Sequence, residues 1–370
     1  MKVHPRELVP GCLIIKDVMG KTTYPIIPKN TVVEEEHIEV LLKFQIPYVD
    51  VAKKLVNGKI YRPKEVYKDA KKQKPVTKKK EVSAIIPKRL ESFYDHYVEA
   101  VRQTKELFQN WDEHSEIDLV SIRNMLFPLI ELSENQTDII IQLHHYTDKH
   151  DYFFHHIVSM SVLSAYLAKH LKYDKNERLQ IALAAYLSDI GMLSIDKDLY
   201  FKERVLTEEE FEQVKKHPIL SYRLIEHSKF LSNNVKLAIL QHHERLDGTG
   251  YPLKLTNEKI HPFAKIIAVS DTFHAMTSER FYKKKKSPFK VVEELRKHQF
   301  GKLDMKIIME LMNCFVKFST QRNVRLSNNE VGKIVFIDQN NPTRPIIQLE
   351  NKQLINLVEY QKLYIDEVLQ

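Results

Sequence analysis

Over most of the middle of the chain, apolar residues recur every three and four positions, the repeat of a helix with one buried face. That spacing predicts helices at 91–111, 116–133, 136–147, 150–172, 177–190, 208–216, 219–228, 233–244, 263–279, 288–298 and 303–318. Thr207 with Glu210 forms a capping box at the start of one of them, and Pro218 stops it. Both ends of the chain read differently. Near the N-terminus the short runs Cys12–Ile15, Tyr24–Ile27 and Ile46–Val51 look like strands, and Thr31 with Glu34 marks a capping box before a helix near Glu34–Phe44. In the last 50 residues the β-branched runs Val331–Ile337, Pro345–Leu349 and Leu354–Val358 are separated by Asn-containing turns.

The expected organisation is a small N-terminal α/β unit at 1–57, a basic linker at 58–90, a helical domain at 91–320 and a small β-rich unit at 321–370. The fold class is therefore mainly α. Composition agrees: 43% hydrophobic residues can bury a sizeable core, and only 8 Gly in 370 residues disfavour a turn-rich β-protein or a Gly-rich nucleotide loop. Two cysteines, Cys12 and Cys314, support neither a disulfide framework nor a four-Cys zinc site. The opening residues lack the apolar stretch of a signal peptide. The longest run without a charged side chain, Tyr152–Ala168, has 17 residues including two His and three Ser. It reads as a buried core helix rather than a spanning one, which needs about 20 mainly apolar residues. A cytoplasmic location without a transmembrane segment is expected.

The net charge of +8 could suggest a nucleic-acid partner, but residues 62–89 alone hold 11 Lys/Arg against three acidic residues. The rest of the chain is neutral overall. Such a run reads first as a solvated tether, and no basic stripe with interleaved aromatics predicts a duplex reader.

Histidine is the unusual component. Twelve of the 17 lie between His144 and His274, together with Asp189, Asp247 and Asp271. Imidazole with carboxylate suits divalent transition metals, and mixed nitrogen and oxygen ligation leans towards Mn or Fe. His156 shares a helical stripe with Met160, Leu163 and Leu167 and so points inwards, which a satisfied core histidine would also do. Asp189 follows an apolar helix just before Gly191, where a carboxylate meets the negative helix end and calls for a cation. His242 and His243 are adjacent and point about 100° apart, so they reach one site together or divide between site and core. Asp271 lies on the apolar face of Ile267 and Ala275, which is costly unless it is paired or metal-bound.

The joint order of these residues is the specific signal. His156 in YFFHHIVSMSVLS, Asp189 in LSDIG, His217-Pro218, the run His242-His243-Glu244-Arg245-Leu246-Asp247-Gly248-Thr249-Gly250-Tyr251-Pro252, and Asp271 in AVSDTFHAMTSERFY resemble the HD-GYP family. This branch of the HD-domain phosphohydrolases hydrolyses cyclic di-GMP. The resemblance covers roughly residues 140–320 and implies an HD-domain-like helical bundle with one or two divalent ions, Fe or Mn. It implies that Asp189 bridges, that His217, His242 and His243 complete one metal, and that His156 and Asp271 serve the other. It assigns Tyr251, Arg280 and Lys283 to the ligand, cyclic di-GMP or a related cyclic dinucleotide, and makes Glu244, Asp247, Gly250 and Pro252 parts of the motif.

The chain also departs from the family. Ser188 stands where the His of the namesake His-Asp pair is expected, and Met192 where a Lys is expected. Tyr152 takes the place of a Glu found in members with a third metal. His274 replaces a frequent Asp and is a candidate substitute ligand, one turn from Asp271. These changes leave three readings open: a phosphodiesterase with impaired chemistry, a catalytically silent cyclic di-GMP- or partner-binding module, and a helical scaffold with a residual metal. A signalling partner such as a diguanylate cyclase, and a homodimer, are compatible with the sequence.

Overall fold

The computed structural model describes residues 1–19, 25–29, 31–34, 37–38, 41–42, 46, 48–56, 61, 92–112, 116–134, 136–196, 199, 202–281, 285–319 and 322–369. The chain divides into two compact units, Met1–Ile86 and Pro87–Gln370.

In the first unit β1 (Lys2–Val3) pairs antiparallel with β4 (Val49–Asp50), and β2 (Val18–Met19) with β3 (Pro25–Ile27). The run at Cys12–Ile15 supplies only isolated bridges, Leu13 to Val32 and Ile14 to Val51. These elements enclose a small core containing Ile14, Ile27, Leu41 and Val51. Thr31 does not cap a helix. Its hydroxyl donates to the Pro28 carbonyl at 2.7 Å, and the Glu34 N–H donates to His37 Nδ1 at 3.1 Å. Parts of the expected 34–44 helix, and nearly all of the basic segment at 58–90, lie outside the described residues.

The second unit carries the helices α1 (Phe93–Gln109), α2 (Leu119–Ser133), α3 (Thr137–Gln142), α4 (Tyr152–His170), α5 (Lys175–Leu187), α6 (Glu208–Val214), α7 (His217–Ile225), α8 (Asn233–Gln241), α9 (Pro262–Thr277), α10 (Pro288–His298) and α11 (Met305–Ser319). Each corresponds to a segment of helical spacing in the sequence. Several starts are set by side-chain caps, among them Ser92, Asp118, Asp174 and Thr207, the last two as full capping boxes. Such a cap contributes about 1 kcal/mol by satisfying an amide that the helix leaves free. Pro218 opens α7, where its missing N–H costs no helical hydrogen bond.

The centre of this unit is α4, which packs on α1, α2, α5 and α9. Fifteen consecutive residues, Phe154–Ala168, are buried, so α4 is covered on every side. That explains its uncharged sequence. Among the described residues no helix is long and apolar enough to cross a membrane.

The C-terminal part is an antiparallel sheet in the order β8 (Leu354–Asn356), β7 (Ile346–Leu349), β6 (Val331–Phe336), β5 (Asn323–Leu326), β9 (Ile365–Leu369). The sequence pattern finds β6, β7 and β8 but misses β5 and β9. Both are short, and β9 carries Asp366 and Glu367 between its apolar residues, which masks the signal. Arg344 ties this part to α10. Its guanidinium makes a two-pronged ion pair with Glu293 at 2.7 Å and donates to the carbonyls of Leu357 and Leu363.

Candidate metal centre

Three helix ends and two helix faces of the second unit deliver the site. The chain leaves α5 at Ser188 and turns through Asp189 into a tight 3₁₀ segment, Ile190–Ser194. This turn lies against the start of α7 because Gly191 has no Cβ. A Cβ there would sit 2.3 Å from the His217 carbonyl oxygen and 2.4 Å from the Ser221 nitrogen. The contact is locked by Gly191 N–H donating to Ser221 Oγ at 2.8 Å and Ser221 Oγ donating to the Ser188 carbonyl at 2.6 Å. Asp189 thereby meets His217, the first residue of α7. The end of α8 brings in His242 and His243, α4 brings His156, and α9 brings Asp271.

The six residues named from the sequence converge. Asp189, His217, His242 and His243 each offer a ligand atom, and these atoms lie within 4.8 Å of one another. Asp189 turns one oxygen to each half of the site. Its Oδ1 is 3.2 Å from His217 Nε2 and 3.8 Å from His242 Nε2, while Oδ2 is 3.9 Å from His156 Nε2. Asp271 also spans both halves, with Oδ1 3.1 Å from His156 Nε2 and Oδ2 3.6 Å from His243 Nδ1. His155, next to His156, faces away and contacts the Tyr97 hydroxyl at 3.1 Å.

The donor set fits a cation. His217 Nδ1 lies 2.7 Å from the Val214 carbonyl, and His242 Nδ1 lies 2.7 Å from the Ile239 carbonyl. Donation to these carbonyls places each ring proton on Nδ1, so a neutral ring presents a lone pair at Nε2. The two Nε2 atoms are only 3.1 Å apart and face the Asp189 carboxylate. Lone pairs converging in this way repel one another and are relieved by a divalent ion. The electrostatics point the same way. Burial pushes His242 down to about 4 and His243 well below the ordinary imidazole value, with the neighbouring histidines adding to both shifts. Burial by itself would raise Asp189 and Asp271. Hydrogen bonding from His217 instead holds Asp189 well below the usual carboxylate range, and from His156 brings Asp271 to about 2, so protons on these two rings stand where a divalent ion would take over the charge balance.

The remaining motif residues build a loop rather than ligands. The buried Glu244 carboxylate accepts the N–H groups of Leu253 at 2.6 Å and Leu255 at 2.8 Å. Asp247 Oδ1 accepts from the Thr249 N–H and hydroxyl, closing the turn at Gly248. A Cβ on Gly250 would lie 2.4 Å from both Glu244 Cα and Arg245 N, so only glycine allows the loop to fold back. Pro252 follows through a cis peptide bond. The loop sets the Tyr251 ring 4.7 Å from the His243 ring, facing the site.

Tyr251, Arg280, Met192 and Tyr152 line a cleft of about 720 Å³ that opens over Asp189, His217 and Asp271. Arg280 Nη2 donates to the Tyr152 hydroxyl at 2.5 Å, with the guanidinium 4.2 Å above the Tyr152 ring. Lys283 lies outside the described residues. Ser188 is fully buried, and its hydroxyl donates to the Ala184 carbonyl at 2.8 Å, away from the ligand cluster. His274 is turned towards His156, with the two Nδ1 atoms 2.9 Å apart. Sequence reading missed the far wall of the cleft, which includes Lys202, Arg204 and Phe211. Lys202 and Arg204 precede the short helix that carries Phe211; charged residues there look like ordinary surface, and nothing in their spacing marks a cleft. Glu210 holds both cations in ion pairs.

A family model described as an HD domain matches residues 131–307. Among curated proteins, the chain is 33% identical over 208 residues to cyclic di-GMP phosphodiesterase PdeB of Borreliella burgdorferi, covering 56% of this chain and 55% of that one. It is 30% identical over 185 residues to cyclic di-GMP phosphodiesterase PA4108 of Pseudomonas aeruginosa, covering 50% and 44%. It is 33% identical over 189 residues to a cyclic di-GMP phosphodiesterase of Thermotoga maritima, covering 50% and 49%. The chain thus spans about half the length of these curated relatives. A solved structure, Bd1817, a HDG"Y"P protein from Bdellovibrio bacteriovorus, aligns over 84% of this chain and 97% of its own, at 17% identity and a TM-score of 0.45. Residues 131–307 match the HD-domain family, and this part of the chain is similar to the cyclic di-GMP phosphodiesterases named above.

Proposed function

We propose that this chain is a metal-dependent phosphodiesterase that opens cyclic di-GMP, or a related cyclic dinucleotide, to the linear dinucleotide. The observation that carries the reading is the convergence of His217 Nε2 and His242 Nε2 on one Asp189 oxygen. On this reading Asp189, His217, His242 and His243 would hold one ion, and His156 and Asp271, with Asp189, would hold a second. Nitrogen-rich ligation with carboxylates favours Fe or Mn. A divalent ion bound there supplies an activated water and offsets phosphodiester charge. Arg280, steadied by Tyr152, offers the phosphate a planar cation, and the Tyr251 ring offers a base a stacking face. The cyclic di-GMP phosphodiesterases among the relatives support this substrate class.

A second reading, binding without turnover, is favoured by two observations. The Ser188 hydroxyl is spent on the Ala184 carbonyl, and Met192 puts a thioether on the cleft wall where a cation would meet phosphate. One experiment separates the two. Purified protein is incubated with cyclic di-GMP and Mn or Fe, and both retained ligand and linear product are measured. Metal-dependent product supports the phosphodiesterase. Ligand retention without product supports the silent module, and neither one rejects both.

A further inference from the structure

We propose that His274 is a positioning residue, which holds the His156 ring with Nε2 turned to the two carboxylates. The inference rests on the metal reading above and assigns His274 a role other than direct ligation. His156 uses its two nitrogens on opposite sides. Nε2 faces Asp271 at 3.1 Å and Asp189 at 3.9 Å, whereas Nδ1 faces His274 Nδ1 at 2.9 Å. His274 is 1% exposed, so water does not compete for that contact. Ser278 Oγ lies beside the His274 ring, 3.3 Å from Nε2 and 3.4 Å from Nδ1.

A consistent chain of donors follows. With the His274 proton on Nε2, its Nδ1 keeps a lone pair. His156 Nδ1–H donates to that lone pair, leaving the His156 Nε2 lone pair free for a cation. The Tyr152 hydroxyl lies near the same His156 nitrogen, but further away, at 3.2 Å, and already accepts from Arg280. His274 therefore offers the shorter contact. Its ring reaches from α9 to the far side of His156, so it steadies a ligand without entering the ligand cluster. Removing such an outer partner typically costs 10–100-fold in metal affinity.

The test has two arms on the full-length chain. In chelator-treated, histidine-labelled wild type, ¹⁵N NMR should show a coupling across the hydrogen bond between His156 Nδ1 and His274 Nδ1. This arm needs neither metal nor a variant that folds. In Mn²⁺ titrations, wild type should take up two ions. His274→Phe, which keeps a ring but no acceptor, should weaken the second ion about tenfold or more and spare the first. His274→Gln, which restores an acceptor oxygen, should recover much of the loss. Absence of the coupling, or a His274→Phe protein that binds both ions like wild type, overturns the proposal. So does a loss in His274→Gln as deep as in His156→Ala, which would make His274 a ligand. A wild type that shows the coupling but takes up no Mn²⁺ rejects the metal reading itself, and the positioning role with it.

Discussion

Replacing Glu244 tests whether the motif glutamate is a loop-builder or a site group. Its carboxylate is 2% exposed and accepts two backbone N–H groups, from Leu253 and Leu255. A hydrogen bond to a charged group contributes about 1.5–3 kcal/mol. The upper end does not apply, because Leu253 is 51% exposed and its N–H can find water once the carboxylate is gone. Glu244→Ala should therefore cost about 3 kcal/mol. Glu244→Gln keeps one acceptor oxygen but turns its NH₂ group towards the second N–H, so it should cost about 2 kcal/mol. For a unit of this size such losses lower the melting temperature by roughly 5–10 °C. Calorimetric melting of the metal-free proteins reads the effect without interference from the site. Both variants melting within about 1 °C of wild type would refute the loop-building role. So would a Glu244→Gln protein that keeps full stability but no longer binds metal.

Three further outcomes follow from the same geometry. His242 and His243 are neutral in the fold and titrate near about 6.5 when unfolded, so the unfolded chain binds more protons below that pH. Their contribution is complete above pH 6.5 and fades as pH falls towards 4, by on the order of 3 kcal/mol for His242. Melting curves of chelator-treated protein across this range should show the decline, and a flat profile contradicts it. Arg344→Ala leaves Glu293, itself 15% exposed, without its guanidinium and should cost about 2–4 kcal/mol, with part regained in the Arg344→Ala, Glu293→Gln double variant. Urea unfolding checks this, and a double variant no better than the single one would remove the ion pair from the account. Met192→Lys returns a cation to the cleft wall and should raise product formation by roughly tenfold, or about 1.4 kcal/mol of transition-state stabilisation. Initial rates with cyclic di-GMP decide that point, and an unchanged rate argues against a role for Met192.

Much of this site is legible in the sequence because helical spacing fixes faces. The stripe through His156, Met160 and Leu163 turns His156 inwards, and the structure places all three in the buried core of the unit. The DIG turn, the His217-Pro218 helix start and the His242-His243 helix end are recognisable as local signals, and they meet in space. What the sequence does not contain is orientation within the cluster. Nothing in a spacing says that Asp189 divides its oxygens between two halves, or that the Ser188 hydroxyl folds back on Ala184. Nor could one-turn proximity to Asp271 reveal that His274 reaches across to His156 Nδ1, since that contact depends on how α9 packs against α4. The strands β5 and β9 escaped for a different reason. They are held by pairing with each other and with β6, a long-range property that short mixed sequences do not display.

The central claim is that Asp189, His217, His242 and His243 form a cation site. Elemental analysis of full-length protein purified without chelator, compared with the His242→Ala, His243→Ala double variant, tests it most directly. The account predicts at least one divalent transition metal per chain in the wild type and its loss in the folded double variant. A folded wild type that carries no metal and takes up neither Mn, Fe nor Zn would contradict it.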